Sequence, residues 1–465
     1  MTSTFIGGPS RAEIDLIADQ ATFGSRPSGW MRLTLLGFCH VIACCISLII
    51  VVDNYDVFLR LAGNDPDHLR AAALGVAPFA LVSVAFAFSR FSFGYALGFY
   101  AYTLILGYLW LVNFSTFPYD HFKASVSAFA SGVAFLAPAL LITSPIKQRF
   151  ALTPEMFRRL LSAILIAAAA VVAMGMFYHF RLVGLEDIYQ FRNELGFPKP
   201  LEYAMGMTSG TLLPFAFACF VWFDMRLRAA LCLLLLVLFW PITLSKVSLF
   251  APAWLMFLAA LTRFFEVRTA VMVSLLLPLL VGIAAAALNA FHLLPHQAFI
   301  AYFGSANFRA FALTSSAMDF YNGFFSSHDV THFCHIGIIN RLVACPYQDQ
   351  LSVVMQNTYH IGYFNASMFA TEGIASLGMT WAPLSALGCG LLFGFANRVS
   401  AGLPAKLVFL SGGVLLNILM NVPLSVALAS HGALLLLLLW YVTPRSLFAE
   451  RDVDLEPKAS VSRHS

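Results

Sequence analysis

A chain of 465 residues that is 60% hydrophobic and only 11% charged, with a mean hydropathy of +0.80, cannot clothe a water-soluble globule in polar surface. Its net charge of +4 comes from short basic stretches between apolar runs, which is not the footprint of a nucleic-acid surface. The class that remains is an all-α polytopic membrane protein, because an apolar run of about 20 residues spans roughly 30 Å of hydrocarbon as a helix.

The chain starts with about 30 polar residues that lack a short apolar core and a small-residue cleavage site, so the first helix reads as an uncleaved anchor. Twelve apolar stretches follow, over 33–52, 71–88, 91–113, 125–143, 160–180, 205–223, 228–244, 247–262, 269–291, 370–395, 405–421 and 424–442. The seventh and eighth form one apolar run interrupted by Pro241, Thr243, Ser245 and Lys246. Arg226 and Arg228 precede that run while Arg263 and Arg268 follow it, so both of its ends favour the cytoplasm and it must cross twice. Lys246 then falls at an outer turn. With both termini inside, the 27 Lys and Arg residues divide as 18 on the inner side and 9 on the outer side.

The expected organisation is a cytoplasmic N-terminal segment at 1–31, nine spanning helices over 32–292 with an external loop at 181–204, a large periplasmic loop at 293–366, three helices over 367–443, and a cytoplasmic tail at 444–465. The 181–204 loop predicts a helix around Leu185–Glu194, ended by Gly196 and Pro198. The large loop is rich in aromatic residues, among them Phe299, Phe303, Phe308, Phe311, Phe320 and Tyr321. That density suits short helices lying in the membrane interface or folded back over the bundle, as a lid over a membrane-facing cavity.

Three outer cations, Arg192, Lys246 and Arg309, sit in apolar or aromatic surroundings, where a cation is paired or used. A lipid diphosphate would satisfy them through charge-assisted hydrogen bonds, while snorkelling or an ion pair with Glu186, Asp187 or Glu194 is the plainer reading of each one alone. The stretch HDVTHFCH holds His328, Asp329, His332, Cys334 and His335, but it lacks HExxH or a second close ligand pair, so no metal site is assigned. Cys334 and Cys345 share the large loop and are either a short disulfide or two free thiols; the other six cysteines lie in spans. Asp65 and Asp67 form a D-x-D triplet that reads as turn residues. Glu372 opens the tenth span in TEGIASLG, among small residues that favour close helix packing.

The pieces IYQFRNELGF, ITLSKVSLFAP, ANFRAF, DFYNGFFSSHDVTHFCH and CPYQDQLSVVMQ, and above all YFNASMFATEGIASLG before a long apolar helix, resemble the bacterial O-antigen and oligosaccharide repeat-unit polymerases over about residues 180–400. Two positions depart from the family pattern: Ser367 stands where Asn-Ala-Asn is common, and Glu372 where Asp precedes Gly. The resemblance implies a polytopic inner-membrane glycosyltransferase that needs no cofactor and acts on undecaprenyl-diphosphate-linked saccharides, with a flippase and a chain-length regulator of the same pathway as partners. It also implies roles. Arg192, Lys246 and Arg309 would hold the diphosphate; His335, Asp319 or Glu372 would accept the proton of the incoming hydroxyl; Tyr321, Tyr347, Tyr363 and Asn365 would contact sugar. An O-antigen ligase is the alternative within the same chemistry. A flippase or other transporter, or an inactive export scaffold, are the alternatives outside it; a transporter is disfavoured by spans nearly free of charge.

Overall fold

The structure, a computed structural model, describes residues 27–184, 191, 196–362 and 365–448. Arg192, Tyr363, most of the Leu185–Glu194 segment and the tail from Ala449 lie outside the described residues. In chain order the helices are α1 Gly29–Leu59, α2 Pro66–Phe88, α3 Phe93–Phe114, α4 His121–Leu141, α5 Pro154–Tyr178, α6 Lys199–Trp222, α7 Arg226–Thr243, α8 Lys246–Phe264 and α9 Val267–Ala290. They continue with α10 over 296–325, α11 Leu351–Tyr359, α12 Ala370–Ser400, α13 Ala405–Asn421, α14 Leu424–Ala429 and α15 Ala433–Val442. Ten of these, α1–α9 and α12, are long and apolar enough to cross a membrane, so the protein is a helical multi-pass membrane protein.

Local chemistry sets the helix starts. Asp65, Ser92, Asp120 and Thr153 cap α2, α3, α4 and α5, each side-chain oxygen accepting a backbone amide that the helix leaves unpaired. The D-x-D triplet is therefore a cap, with Asp65 also paired to His68. Helix α3 is apolar all round and buried on every side, which places it at the centre of the bundle.

The connections fall into two groups that touch within each group. At one end, called here the long-loop end, Ala62 N donates to Phe114 O (2.7 Å), Thr116 N to Arg60 O (3.1 Å) and Arg181 N to Pro241 O (2.9 Å). At the other end Ile146 N donates to Arg398 O (3.0 Å), Leu152 N to Val442 O (2.9 Å) and the Arg268 guanidinium to Ser89 O (3.4 Å). Also at that end, Asn397 of α12 accepts from Gly94 N (2.6 Å) and donates to Ala139 O (2.7 Å) and Ile142 O (3.1 Å), binding α3, α4 and α12 together. Gly94 has to be glycine, since a Cβ there would lie 2.5 Å from Ala139 O.

The apolar run over 228–262 divides at Leu244, whose φ of +48° turns the chain between α7 and α8. The stretch expected at 424–442 is instead two helices, α14 and α15, separated at Ser430–Gly432 where Gly432 takes φ +80°. The 10 residues of α15 rise only about 15 Å, half a bilayer core. The break is seated on α6 beside its π-helical turn Thr208–Leu212, where Thr211 donates to His431 O (2.8 Å) and Gly206 lets the backbone of Ser430 approach.

Candidate functional site

Helix α10 begins after Pro295 and runs unbroken through an α-helical turn pair His296–Phe303, a π-helical stretch Gly304–Ala312 and an α-helical stretch Leu313–Phe325. It is not confined above the bundle. The Asn307 amide donates to Ser47 Oγ of α1 (2.9 Å) and Leu279 O of α9 (3.1 Å), and Tyr302 OH donates to Pro278 O (3.2 Å). Gly282, against which Asn307 packs, lies eight residues and about 12 Å inside the end of α9. A segment expected to lie in the interface thus re-enters the bundle from the long-loop end. The approach is made by shape: Gly282 has no Cβ to meet Asn307, and Phe308 stacks on Tyr55 with ring centroids 3.9 Å apart. Widened π turns are frequent at functional sites, and this one carries Arg309 on an exposed face.

Further along α10, Asp319 is fully buried and closes a chain of hydrogen bonds. The Asn322 amide donates to Tyr108 OH (2.9 Å), the Tyr108 and Tyr119 hydroxyls are 3.4 Å apart, and Tyr119 OH donates to Asp319 Oδ1. Because the amide nitrogen can only donate, Tyr108 passes its proton toward Tyr119 and Tyr119 toward the acid. The chain is one-way and ends on Asp319. Its other oxygen, Oδ2, is buried with no hydrogen-bond partner among the described residues. Burial pushes the carboxyl up to about 7, against the opposing pull of the Tyr119 and Ser115 hydroxyls.

Two residues on from Asp319, Tyr321 faces the other way and donates from its hydroxyl to Asn365 Oδ1 (2.9 Å). This bond joins the re-entrant helix to the segment leading into α12, 44 residues later. Glu372, in the π-helical turn Ala370–Ile374, has both oxygens engaged: Oε2 accepts from Met368 N (2.6 Å) and Ser367 Oγ (3.4 Å), and Oε1 from Leu424 N (2.5 Å). It braces the entry of α12 to the start of α14. Downstream, α12 breaks at Gly378 (φ +73°), and loop amides satisfy two carbonyls above the break, Thr331 N on Ala375 O (2.7 Å) and His332 N on Ser376 O (3.1 Å).

Lys246 opens α8, partly buried, at the long-loop end. Trp254 of α8 donates to Gly413 O of α13 (3.1 Å), and eight residues toward the long-loop end from each partner stand Lys246 and Asn421. The two are therefore level, at the tops of antiparallel neighbours. Asn421 in turn accepts from Thr314 of α10 (3.4 Å), one turn after Arg309. Thr314, Asn421 and Lys246 are thus brought to one end of the bundle, with Arg309 one turn before Thr314 on α10.

His335 is partly buried, and neither ring nitrogen has a hydrogen-bond partner among the described residues; burial lowers its affinity for a second proton, so the ring is neutral at pH 7. Tyr347 is an anchor, donating to Asp329 O (2.8 Å) between the rings of Phe324 and Phe325. The HDVTHFCH groups do not converge: His328 stacks on Phe324 with Nδ1 2.8 Å from its carbonyl oxygen, and Cys334 is bonded to Cys345. Among the described residues no three His, Cys, Asp or Glu side chains gather as a metal site would require.

Of the residues singled out in the sequence, the structure brings together Tyr321 with Asn365 and puts Arg309, Asp319 and Tyr321 on one helix. It adds Asn307, Tyr108, Tyr119, Asn322, Thr314 and Asn421. Of these, Asn307 and Asn322 lie within the quoted pieces ANFRAF and DFYNGFFSSHDVTHFCH, and the others left no sequence signal. No family model matches the chain, and no curated protein and no solved structure is significantly similar to it.

Proposed function

We propose that the chain is a polymerase of lipid-linked oligosaccharide repeat units, acting at the outer face of a bacterial inner membrane on saccharides carried by undecaprenyl diphosphate. The observation that carries the reading is α10: a helix that re-enters the bundle while presenting Arg309 on an exposed face, one turn before Thr314, which bonds Asn421. A cation at that depth suits an anion tethered to a lipid tail. In this reading α13, and α14 with α15, complete twelve crossings; the termini lie inside, and the long-loop end faces the periplasm. The two groups of touching connections and the 18-to-9 partition of basic residues support that orientation.

The incoming sugar hydroxyl attacks the anomeric carbon of the lipid-linked chain, a glycosidic C–O bond forms, and the bond from that carbon to the diphosphate oxygen breaks. The lipid diphosphate leaves with the electron pair, and the hydroxyl proton passes to a base. Arg309 and Lys246 favour the step by binding the diphosphate more strongly as its charge develops. Of the three expected bases, Glu372 has both oxygens taken by backbone amides and Asp319 already accepts from Tyr119, whereas both ring nitrogens of His335 are without a hydrogen-bond partner among the described residues. His335 is the base in this reading, and Asn365, partly exposed and fixed by the Tyr321 hydroxyl, contacts the sugar.

Deleting the gene and running the surface polysaccharide on a gel, beside strains complemented with wild type or Arg309→Ala, tests it. Collapse of a ladder to one repeat unit, unrestored by Arg309→Ala at normal membrane abundance, is the expected result. Loss of every attached repeat with lipid-linked polymer accumulating would make the protein a ligase, and an unchanged ladder would end the reading.

A further inference from the structure

Residues 334–345 form a small knob closed at its base by the Cys334–Cys345 disulfide, with a Cα–Cα distance of 5.2 Å. Inside it a short helical turn, Ile339–Arg341, is held by Asn340 N on Ile336 O (2.9 Å) and Val343 N on Ile339 O (3.0 Å). This turn pushes two large aliphatic side chains outward: Ile338 is 79% exposed and Leu342 is 83% exposed. A cross-linked turn that displays its apolar residues rather than burying them marks an interaction surface.

The height of the knob names its partner. Its root is pinned to α12 by Thr331 and His332, whose amides bond Ala375 O and Ser376 O, and Val330 lies against Gly378. Just below, Ser127 of α4 donates to Met379 O (2.5 Å), six residues and about 9 Å inside the start of α4 at His121. The root is therefore level with the first turn of α4, where Phe122 is 81% exposed. One turn below Gly378, Trp381 also points outward, and Leu384 continues the same apolar face. Exposed aromatic and aliphatic side chains at the level of the root and below it mark the lipid-facing surface of spanning helices. The knob thus continues a belt that lipid already covers, and its exposed Arg341 stands between the two aliphatic residues as a headgroup-level cation.

We propose that the disulfide-closed knob 334–345 inserts Ile338 and Leu342 into the adjoining membrane leaflet, with Arg341 at the phosphate level. Its occupant is the lipid surface, not a protein. The knob anchors the loop that supplies the Thr331 and His332 amides to the broken start of α12, so lipid contact steadies the entry to α12 from outside the bundle. This inference rests on the multi-pass fold and not on the proposed reaction.

The test uses full-length protein in vesicles of phosphatidylcholine and phosphatidylglycerol, with Leu342→Trp and, separately, Ile338→Trp. Both positions are exposed, so neither substitution disturbs packing. The chain has 7 native tryptophans, whose emission is subtracted using wild type in the same vesicles. The added emission is expected to shift to the blue and to fall about twofold when the lipid is brominated near the headgroup end of its acyl chains, with little quenching by aqueous iodide. Quenching by iodide and not by bromolipid would put the knob in water and overturn the proposal. Protection from both quenchers would mean that a second copy of the chain covers it, and would overturn it equally.

Discussion

Two buried carboxylates, one two residues before Tyr321 and the other seven residues after its partner Asn365, live in opposite conditions. Glu372 at the entry to α12 is fully accepted, its oxygens filled by two backbone amides and a serine, whereas Asp319 on the re-entrant helix has one oxygen at the end of a one-way hydrogen-bond chain and the other without a partner. Both are enclosed to a similar degree, so burial does not distinguish them. What differs is the source of the donors. Backbone amides presented by the turn fill both oxygens of Glu372 and hold it in place, while the hydroxyl chain reaches only one oxygen of Asp319 and leaves that acid near the balance between its two protonation states. One acid is an architectural brace; the other is a titrating joint.

The sharpest way to break the comparison is to remove the brace. Glu372→Ala leaves the amides of Met368 and Leu424 buried without acceptors, and a loss of about 3–5 kcal/mol is expected in thermal unfolding of the purified protein, while Glu372→Gln retains part of it. A melting temperature unchanged in Glu372→Ala would mean that the brace carries no weight.

The next largest effect is the pH dependence of Asp319. The folded acid keeps its proton up to about pH 7, whereas the unfolded one loses it near 3.8. Between those values the folded state binds more protons than the unfolded state. The contribution is therefore greatest below 3.8, falls as pH rises toward 7, and is flat above it. Asp319→Asn removes this slope and is expected to be the more stable protein at pH 8; a wild-type stability that rises from pH 4 to 7 through this site would contradict it. If activity survives in Asp319→Asn, the acid belongs to the architecture of α10 alone.

Gly282→Ala is smaller in scale. Its new Cβ would fall 1.8 Å from Asn307 Oδ1, so about 1–3 kcal/mol of destabilisation is expected, and Asn307→Ala in the same chain should return part of it, measured as a coupling in a double-mutant cycle. The smallest effect is that of Tyr108→Phe, which takes one link from the chain to Asp319 and should cost about 1 kcal/mol while moving the acid's titration upward. A titration midpoint that stays in place would show that the chain ends at Tyr119.

Hydropathy and the arginine flanks made most of the bundle legible, down to the hairpin at Leu244, because bilayer thickness fixes helix length and loop charge separates neighbours. The re-entrant helix was not legible. Asn307, Ser305 and Asp319 lower its hydropathy, and only the absence of a side chain at Gly282, far away in sequence, makes room for it. The break at Gly432 was hidden for the opposite reason: α14 and α15 together have the hydropathy of one span, and only a positive φ divides them. Within the candidate site, Tyr321 and Asn365 were each visible as polar residues in aromatic or small-residue settings, but their bond was not. Tyr108 and Asn421 stand at the ends of ordinary apolar helices, where nothing in the sequence distinguishes a networked polar residue from an interfacial one.

The Asn397 knot has a consequence for how the protein is made. Its bond to Gly94 links residues 303 positions apart, and the same side chain completes the end of α4. At a synthesis rate of about 5–20 residues per second, α3 and α4 wait roughly 15–60 s in the membrane before the residue that ties them together leaves the ribosome. During that interval the central helix of the finished bundle has neither α12 nor α13 beside it. The nascent chain must be sheltered by lipid or by the insertion machinery until its second half arrives.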